Sequence, residues 1–163
     1  MVYYITALSD VLMPRDKATP TETNVLLADD DDDDFLFFTL AVADTQIAVA
    51  LTRVEDGEML MKALEENIPD VLFLDLHMPC KNGWQCLREI RSNRRYDNLP
   101  IITYTSFDDL KNIDYCFREG ANLYSVKATN LASLTEILKR VLSIEWKRTM
   151  YFPPRQEFVL QPS

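Results

Sequence analysis

Four uninterrupted apolar runs of strand length constrain this chain more than any other feature. They are Val25 to Ala28, Val71 to Leu74, Ile101 to Tyr104 and Leu123 to Val126. A strand that alternates apolar and polar residues has one wet face, whereas a strand apolar throughout is covered on both faces, as in a parallel sheet with helices above and below. Between the runs lie segments of helical period. Phe35, Phe38 and Val42 share one face of the first. Leu60, Ala63 and Leu64 do so in the second, Trp84, Leu87 and Ile90 in the third. Leu110, Ile113 and Phe117 mark the fourth, and Leu131, Leu134, Leu138, Val141 and Ile144 the fifth. Asp34, Asp56, Asn82, Ser106 and Asn130 are placed to cap or open them, and Gly120 to stop the fourth. Ile47 to Val54 is a weaker strand candidate between the first two runs. The strict alternation of five strands with five helices predicts an α/β fold, a three-layer sandwich around a parallel sheet.

The flanks lack this pattern. Residues 1–23 read as an extension ending in the linker-like DKATPTET, residues 24–146 as the domain, and residues 147–163 as a tail in which Pro153-Pro154 discourages a helix. A net charge of -9 argues against binding a phosphate backbone, since nucleic-acid affinity rests on Lys and Arg. No apolar run reaches the ~18 residues of a membrane span, and the N-terminus does not read as a signal peptide. Three cysteines, Cys80, Cys86 and Cys116, without a C-x-x-C suggest reduced thiols and a cytoplasmic location. With His77 they lack the close spacing of a zinc site.

In open parallel sheets ligands sit beyond the carboxyl ends of the strands. Asp29 and Asp30 follow the first run, Asp75 the second, Thr105 and Ser106 the third, and Lys127 the fourth. Three carboxylates at one sheet edge repel by roughly 4 kcal/mol per close pair at an effective dielectric of 20, so they need a cation or a proton. A hard, well-hydrated ion such as Mg²⁺ suits all-oxygen ligands. A lysine and a hydroxyl facing the same acids suit a phosphoryl group, and a carboxylate there can be the nucleophile. The six-aspartate run Asp29 to Asp34 is not an EF-hand loop, because the sixth and twelfth positions counted from Asp29 hold Asp34 and Leu40 instead of Gly and Glu. Its second part, Asp31 to Asp34, reads as a solvated loop and helix start.

The landmarks LLADD, LFLDLHMPCKNG, PIITYTS and GANLYSVK, in this order and at these intervals, resemble the receiver domain of two-component response regulators from Asn24 to about Trp146. The resemblance implies a doubly wound, flavodoxin-like five-stranded parallel sheet with five helices, and a phosphorelay switch with Asp75 as the phosphorylated aspartate. It implies that Asp30 binds Mg²⁺ directly, Asp29 mainly through a water, and that the His77 main-chain carbonyl completes the ligands. Thr105 would be the switch hydroxyl, Lys127 the ion-pair partner of the phosphoryl group, and Tyr124 the aromatic whose rotamer follows Thr105. Pro79 and Gly83 fit the loop after the phosphorylated strand. The implied partners are a histidine kinase or phosphotransfer protein and an unidentified downstream protein reached by protein-protein contact, with a homodimer left open. The chain reads as a single-domain, stand-alone receiver: a phosphoacceptor with self-phosphorylation and self-dephosphorylation chemistry, not an enzyme acting on other substrates.

The chain departs from the family at Ala128, where proline usually follows the lysine, often after a cis peptide. Without proline a cis bond costs about 3 kcal/mol, so either isomer is open at this point. Two other readings compete. A phosphatase of the haloacid dehalogenase type needs a second acid two residues after its nucleophile, where this chain has His77. A docking receiver that no longer accepts phosphate would not need the set Asp29, Asp30, Asp75, Thr105 and Lys127.

Overall fold

The computed structural model describes residues 2–5, 22–146, 148 and 150–161. Its strands are β1 (Val2–Ile5), β2 (Thr23–Ala28), β3 (Val49–Val54), β4 (Val71–Leu74), β5 (Ile101–Thr105), β6 (Leu123–Val126) and β7 (Val159–Leu160). Its α-helices are α1 (Asp32–Thr45), α2 (Gly57–Glu66), α3 (Gly83–Ser92), α4 (Leu110–Arg118) and α5 (Leu131–Leu142). Short 3-10 turns occupy Arg94–Tyr96 and Arg155–Glu157.

The four apolar runs are the central strands, buried throughout except at the ends of β2 and β6. One face of the sheet packs through Val25, Leu27, Phe73, Ile102 and Tyr104 against α1 and α5, with Phe38, Val42, Leu134 and Leu138 opposite. The other packs through Leu26, Leu72, Leu74 and Ile101 against Leu60, Leu64, Leu87, Ile90 and Ile113 of α2, α3 and α4. That is the expected three-layer α/β arrangement with five helices.

The sheet is wider than five strands: among the described residues seven lie in the order β1-β3-β2-β4-β5-β6-β7. β1 joins β3 antiparallel, while β7 extends β6 in parallel, with Tyr124 opposite Val159 and Ser125 opposite Leu160. Residues at both ends of the chain thus belong to the sheet. The linker expected within residues 1–23 lies mostly outside the described residues. The chain passes from β2 out to β3 and then back across to β4 on the other side of β2, which puts the topological switch point between β2 and β4.

Two helix starts differ from expectation. α1 is capped by Asp31, whose carboxylate accepts from the backbone N–H groups of Asp33 (2.8 Å) and Asp34 (3.0 Å), so Asp34 is left inside the first turn with its side chain free for another partner. α4 is capped by Asp109, which accepts from Asn112 N–H, and Ser106 and Phe107 stay in the loop at the sheet edge. Asp56, Asn82 and Asn130 cap α2, α3 and α5 as their positions predict, and Asn82 with Gln85 forms a reciprocal capping box. α5 ends at Leu142, two residues short of Ile144.

Candidate functional site

The ladders that align the strands also align the residues just beyond their carboxyl ends. Ala28 lies opposite Leu74, and Asp75 N–H donates to Ala28 O at 2.9 Å, so Asp29 and Asp75 leave the sheet side by side at the switch point. Thr105 lies opposite Val126, and Lys127 N–H donates to Thr105 O at 2.8 Å, which brings Lys127 over the same edge. The loop after β4 is pinned by Gly83, whose N–H donates to Leu76 O at 3.0 Å. A Cβ on Gly83 would fall 2.0 Å from Asp75 O, so only glycine lets α3 start this close to the acid.

Lys127 is the hub. Its Nζ stands 2.9 Å from Asp75 Oδ2, 2.9 Å from Asp29 Oδ2 and 2.6 Å from Asp34 Oδ2, with its side chain 10% exposed. Burial opposes its charge, but the hydrogen bond to Asp34, the close ion pair with Asp29 and the charge of Asp75 outweigh it and hold the ammonium protonated well above its ordinary range. Asp29 is fully buried, and burial raises its carboxyl to about 6 despite Lys127. Its Oδ1 accepts from Asp31 N–H, while Oδ2 touches Lys127 as an ion pair off hydrogen-bond alignment and has no hydrogen-bond donor. Carboxylate oxygens of Asp29, Asp30 and Asp75 lie within 4.8 Å of one another, with Asp30 exposed. Three acids, one with a buried, unmatched lone pair, fit a hard divalent cation.

These groups face a cleft of about 390 Å³ lined by Asp30, Asp34, Asp75, Thr105, Phe107 and Lys127, among others. The Thr105 hydroxyl is buried and without a hydrogen-bond partner. The His77 side chain is exposed, and its backbone N–H donates to Asp75 Oδ1 at 3.2 Å. Tyr124 does not line the cleft. It is buried beneath it, and its hydroxyl donates to Phe107 O at 2.7 Å in the loop that follows Thr105. The peptide after Lys127 is trans, since no described peptide bond is cis.

Sequence reasoning missed two contributors. Asp34 reaches Lys127 across 93 residues of chain, one turn into α1 from the capping acid. Arg53, the one charged residue of β3, donates from Nε to Asp29 O (2.9 Å) and from Nη1 to Asp32 (2.6 Å), and so braces the loop that carries Asp29 and Asp30. The charge within β3 was the visible signal.

Residues 25–139 match the family model of the response regulator receiver domain. The chain belongs to that family. The receiver is 30% identical over 87 residues to the transcriptional regulatory protein DegU of Brevibacillus brevis, spanning 53% of this chain and 36% of DegU. It is also 30% identical over 92 residues to the DNA-binding transcriptional regulator NtrC of Escherichia coli K12, spanning 56% of this chain but 19% of NtrC. These relatives are therefore much longer than the part matched. The response regulator Rcp1 of Synechocystis is 24% identical over 145 residues, 85% of this chain and 97% of Rcp1. Among solved structures, the phosphorylated cyanobacterial phytochrome response regulator RcpA has a TM-score of 0.71 at 25% identity, covering 82% of the receiver chain and 100% of RcpA. The Mn²⁺-bound form of Rcp1 has a TM-score of 0.68 at 24% identity, covering 81% and 99%.

Proposed function

We propose that the receiver accepts a phosphoryl group on Asp75 from a histidine kinase or phosphotransfer protein and signals by a change in its protein-binding surface. The observation that carries this reading is the half-buried Lys127 ammonium within 2.9 Å of both Asp75 and Asp29, with the unpartnered Thr105 hydroxyl in the same cleft. An oxygen of Asp75 attacks phosphorus, the bond from phosphorus to the donor breaks, and the donor leaves with that electron pair, giving an acyl phosphate on Asp75. Lys127 pairs with a developing phosphoryl oxygen in place of one of its carboxylates. Thr105 donates its hydroxyl to another, which gives its buried oxygen the partner it lacks. His77 N–H orients Asp75 by holding Oδ1.

Asp29, Asp30 and Asp75, with the His77 carbonyl, would hold Mg²⁺. Bound there, the ion would offset the repulsion among the three acids and the charge of the phosphoryl oxygens. The phosphorylated RcpA and Mn²⁺-bound Rcp1 relatives support this assignment by fold. In self-dephosphorylation water attacks phosphorus, the bond from phosphorus to the Asp75 oxygen breaks, Asp75 leaves as the carboxylate with that electron pair, and inorganic phosphate is released. We assign the switch to residues 24–146 and place the protein in the cytoplasm; among the described residues no helix is long and apolar enough to cross a membrane.

Incubation with Mg²⁺ and acetyl phosphate, followed by intact mass measurement, tests the reading. A single phosphate adduct, absent in D75N, is expected. No adduct from any donor would favour the docking receiver instead.

A further inference from the structure

The far edge of the sheet carries a feature that phosphoryl acceptance does not use. β6 would be the edge strand next to the site, but the C-terminal segment covers it. Phe158 is fully buried, 5.2 Å from the ring of Phe117 and 6.1 Å from that of Tyr124, and its carbonyl accepts from Tyr124 N–H at 2.9 Å. Val159 and Leu160 continue the pairing as β7. Either side of this plug the segment is tied down. Arg155 donates from Nε and Nη2 to Asp114 of α4 at 2.9 and 2.7 Å, and Asn122 donates from its side-chain amide to Tyr151 O at 2.9 Å.

Tyr124 thus has two attachments. Its backbone and ring hold the C-terminal segment, and its hydroxyl holds Phe107 O, two residues after Thr105 in the cleft. With Phe158 seated, the side of Tyr124 that would otherwise face the sheet edge is filled, so the ring stays inward and the Ser106–Phe107 loop stays where Thr105, lining the same cleft as Asp75, has its Oγ1 buried without an acceptor. A phosphoryl oxygen is the acceptor that this loop position suits. A ligand that favours one arrangement of a shared element favours whatever else depends on it, and the linkage runs both ways.

We propose that the β6 edge and its Phe158 socket form an interaction surface occupied in cis by Tyr151–Leu160, and that occupancy of this socket and phosphoryl binding at Asp75 reinforce each other through Tyr124. This rests on the reading of Asp75 as phosphoacceptor. An unphosphorylated molecule releases the segment more often, and exposes the edge to an extended, aromatic-bearing strand of another protein by strand addition.

Hydrogen exchange of peptides from residues 151–161, with Mg²⁺ and the phosphoryl mimic beryllofluoride, tests the coupling, and ¹⁹F NMR reports bound fluoride independently. The segment should exchange at least about fivefold more slowly when fluoride is bound, the lower end of ordinary allosteric coupling. Y124F, which keeps the ring and loses the hydroxyl, should bind fluoride and lose most of that change. Truncation after Met150 should weaken beryllofluoride binding by a similar factor; R155A, which removes only an exposed ion pair, should weaken it in the same direction by less. Unchanged exchange of residues 151–161 with fluoride bound would overturn the coupling. Absence of any bound-fluoride signal would overturn the phosphoacceptor reading beneath it.

Discussion

Two half-buried cations stand at opposite ends of the same sheet, and their partners differ in kind. At the amino ends, Arg91 of α3 donates to Gly120 O (2.7 Å), Leu99 O (2.9 Å), Tyr96 O (3.1 Å) and Asn122 Oδ1 (2.8 Å). All four acceptors are neutral, and Asn122 Oδ1 also accepts from Ile101 N–H at 2.8 Å. Burial lowers the Arg91 guanidinium to about 10, a cost the fold carries to tie α3 to the starts of β5 and β6. At the carboxyl ends, Lys127 meets three carboxylates and is driven the other way, while Asp29 Oδ2 and Thr105 Oγ1 beside it lack hydrogen bonds. A structural cation is matched bond for bond. A site that must receive a charged group keeps an excess of one charge and some unmatched atoms.

Truncating each cation separates the two roles. K127A should slow phosphorylation by acetyl phosphate at least about 100-fold, the usual effect of removing one group that stabilises developing charge, as read by the rate of adduct formation. R91A strips the donor from four acceptors and should lower stability by about 3 kcal/mol in urea unfolding, while the molecules that remain folded are phosphorylated at the normal rate. Equal loss of phosphorylation in both variants, at matched folded fraction, would erase the distinction.

The pH dependence of stability sharpens the same contrast. Asp29 holds its proton more tightly when folded, to about 6, than when unfolded, near 4. Ionising it therefore costs the folded state. In metal-free protein its contribution to stability should fall by about 3 kcal/mol as pH rises from about 4 to about 6 and change little above. Mg²⁺ should offset that loss, so the stabilisation by saturating Mg²⁺ in thermal unfolding should be larger at pH 7.5 than at pH 5. Equal stabilisation at both pH values would remove Asp29 from the cation site.

The smallest expected effect is at Asp34. It is 36% exposed and holds Lys127 from the α1 side, and its loss leaves Lys127 with Asp29 and Asp75. D34N should change the phosphorylation rate by no more than severalfold, because solvent screens this pair more than the two buried ones. A loss as large as that of K127A would make Asp34 a member of the reacting set.

Much of this contrast was legible in the chain. β2, β4, β5 and β6 announce themselves because continuous apolar runs have few other uses, and each is followed by the polar group it delivers to the cleft. Asp56, Asn82 and Asn130 could be read as caps because each stands directly before the first residue of its helix. The aspartate run hid α1's start for the opposite reason: every member is a competent cap, and only the loop's path into the helix selects Asp31. It also hid Asp34, whose role depends on a lysine 93 residues away. β7 was unreadable because two residues carry no period, and its stability comes from the β6 edge and the Phe158 socket. β1 likewise exists through its pairing with β3.

The central claim is that one carboxylate of this acidic edge is the nucleophile and that the others serve it. Borohydride reduction of the acetyl phosphate-treated protein converts an aspartyl phosphate to homoserine, which peptide mass mapping locates. The account predicts homoserine at Asp75 alone, in the presence of Mg²⁺. Homoserine at Asp29, Asp30 or Asp34, or phosphorylation that persists in D75N, would contradict it.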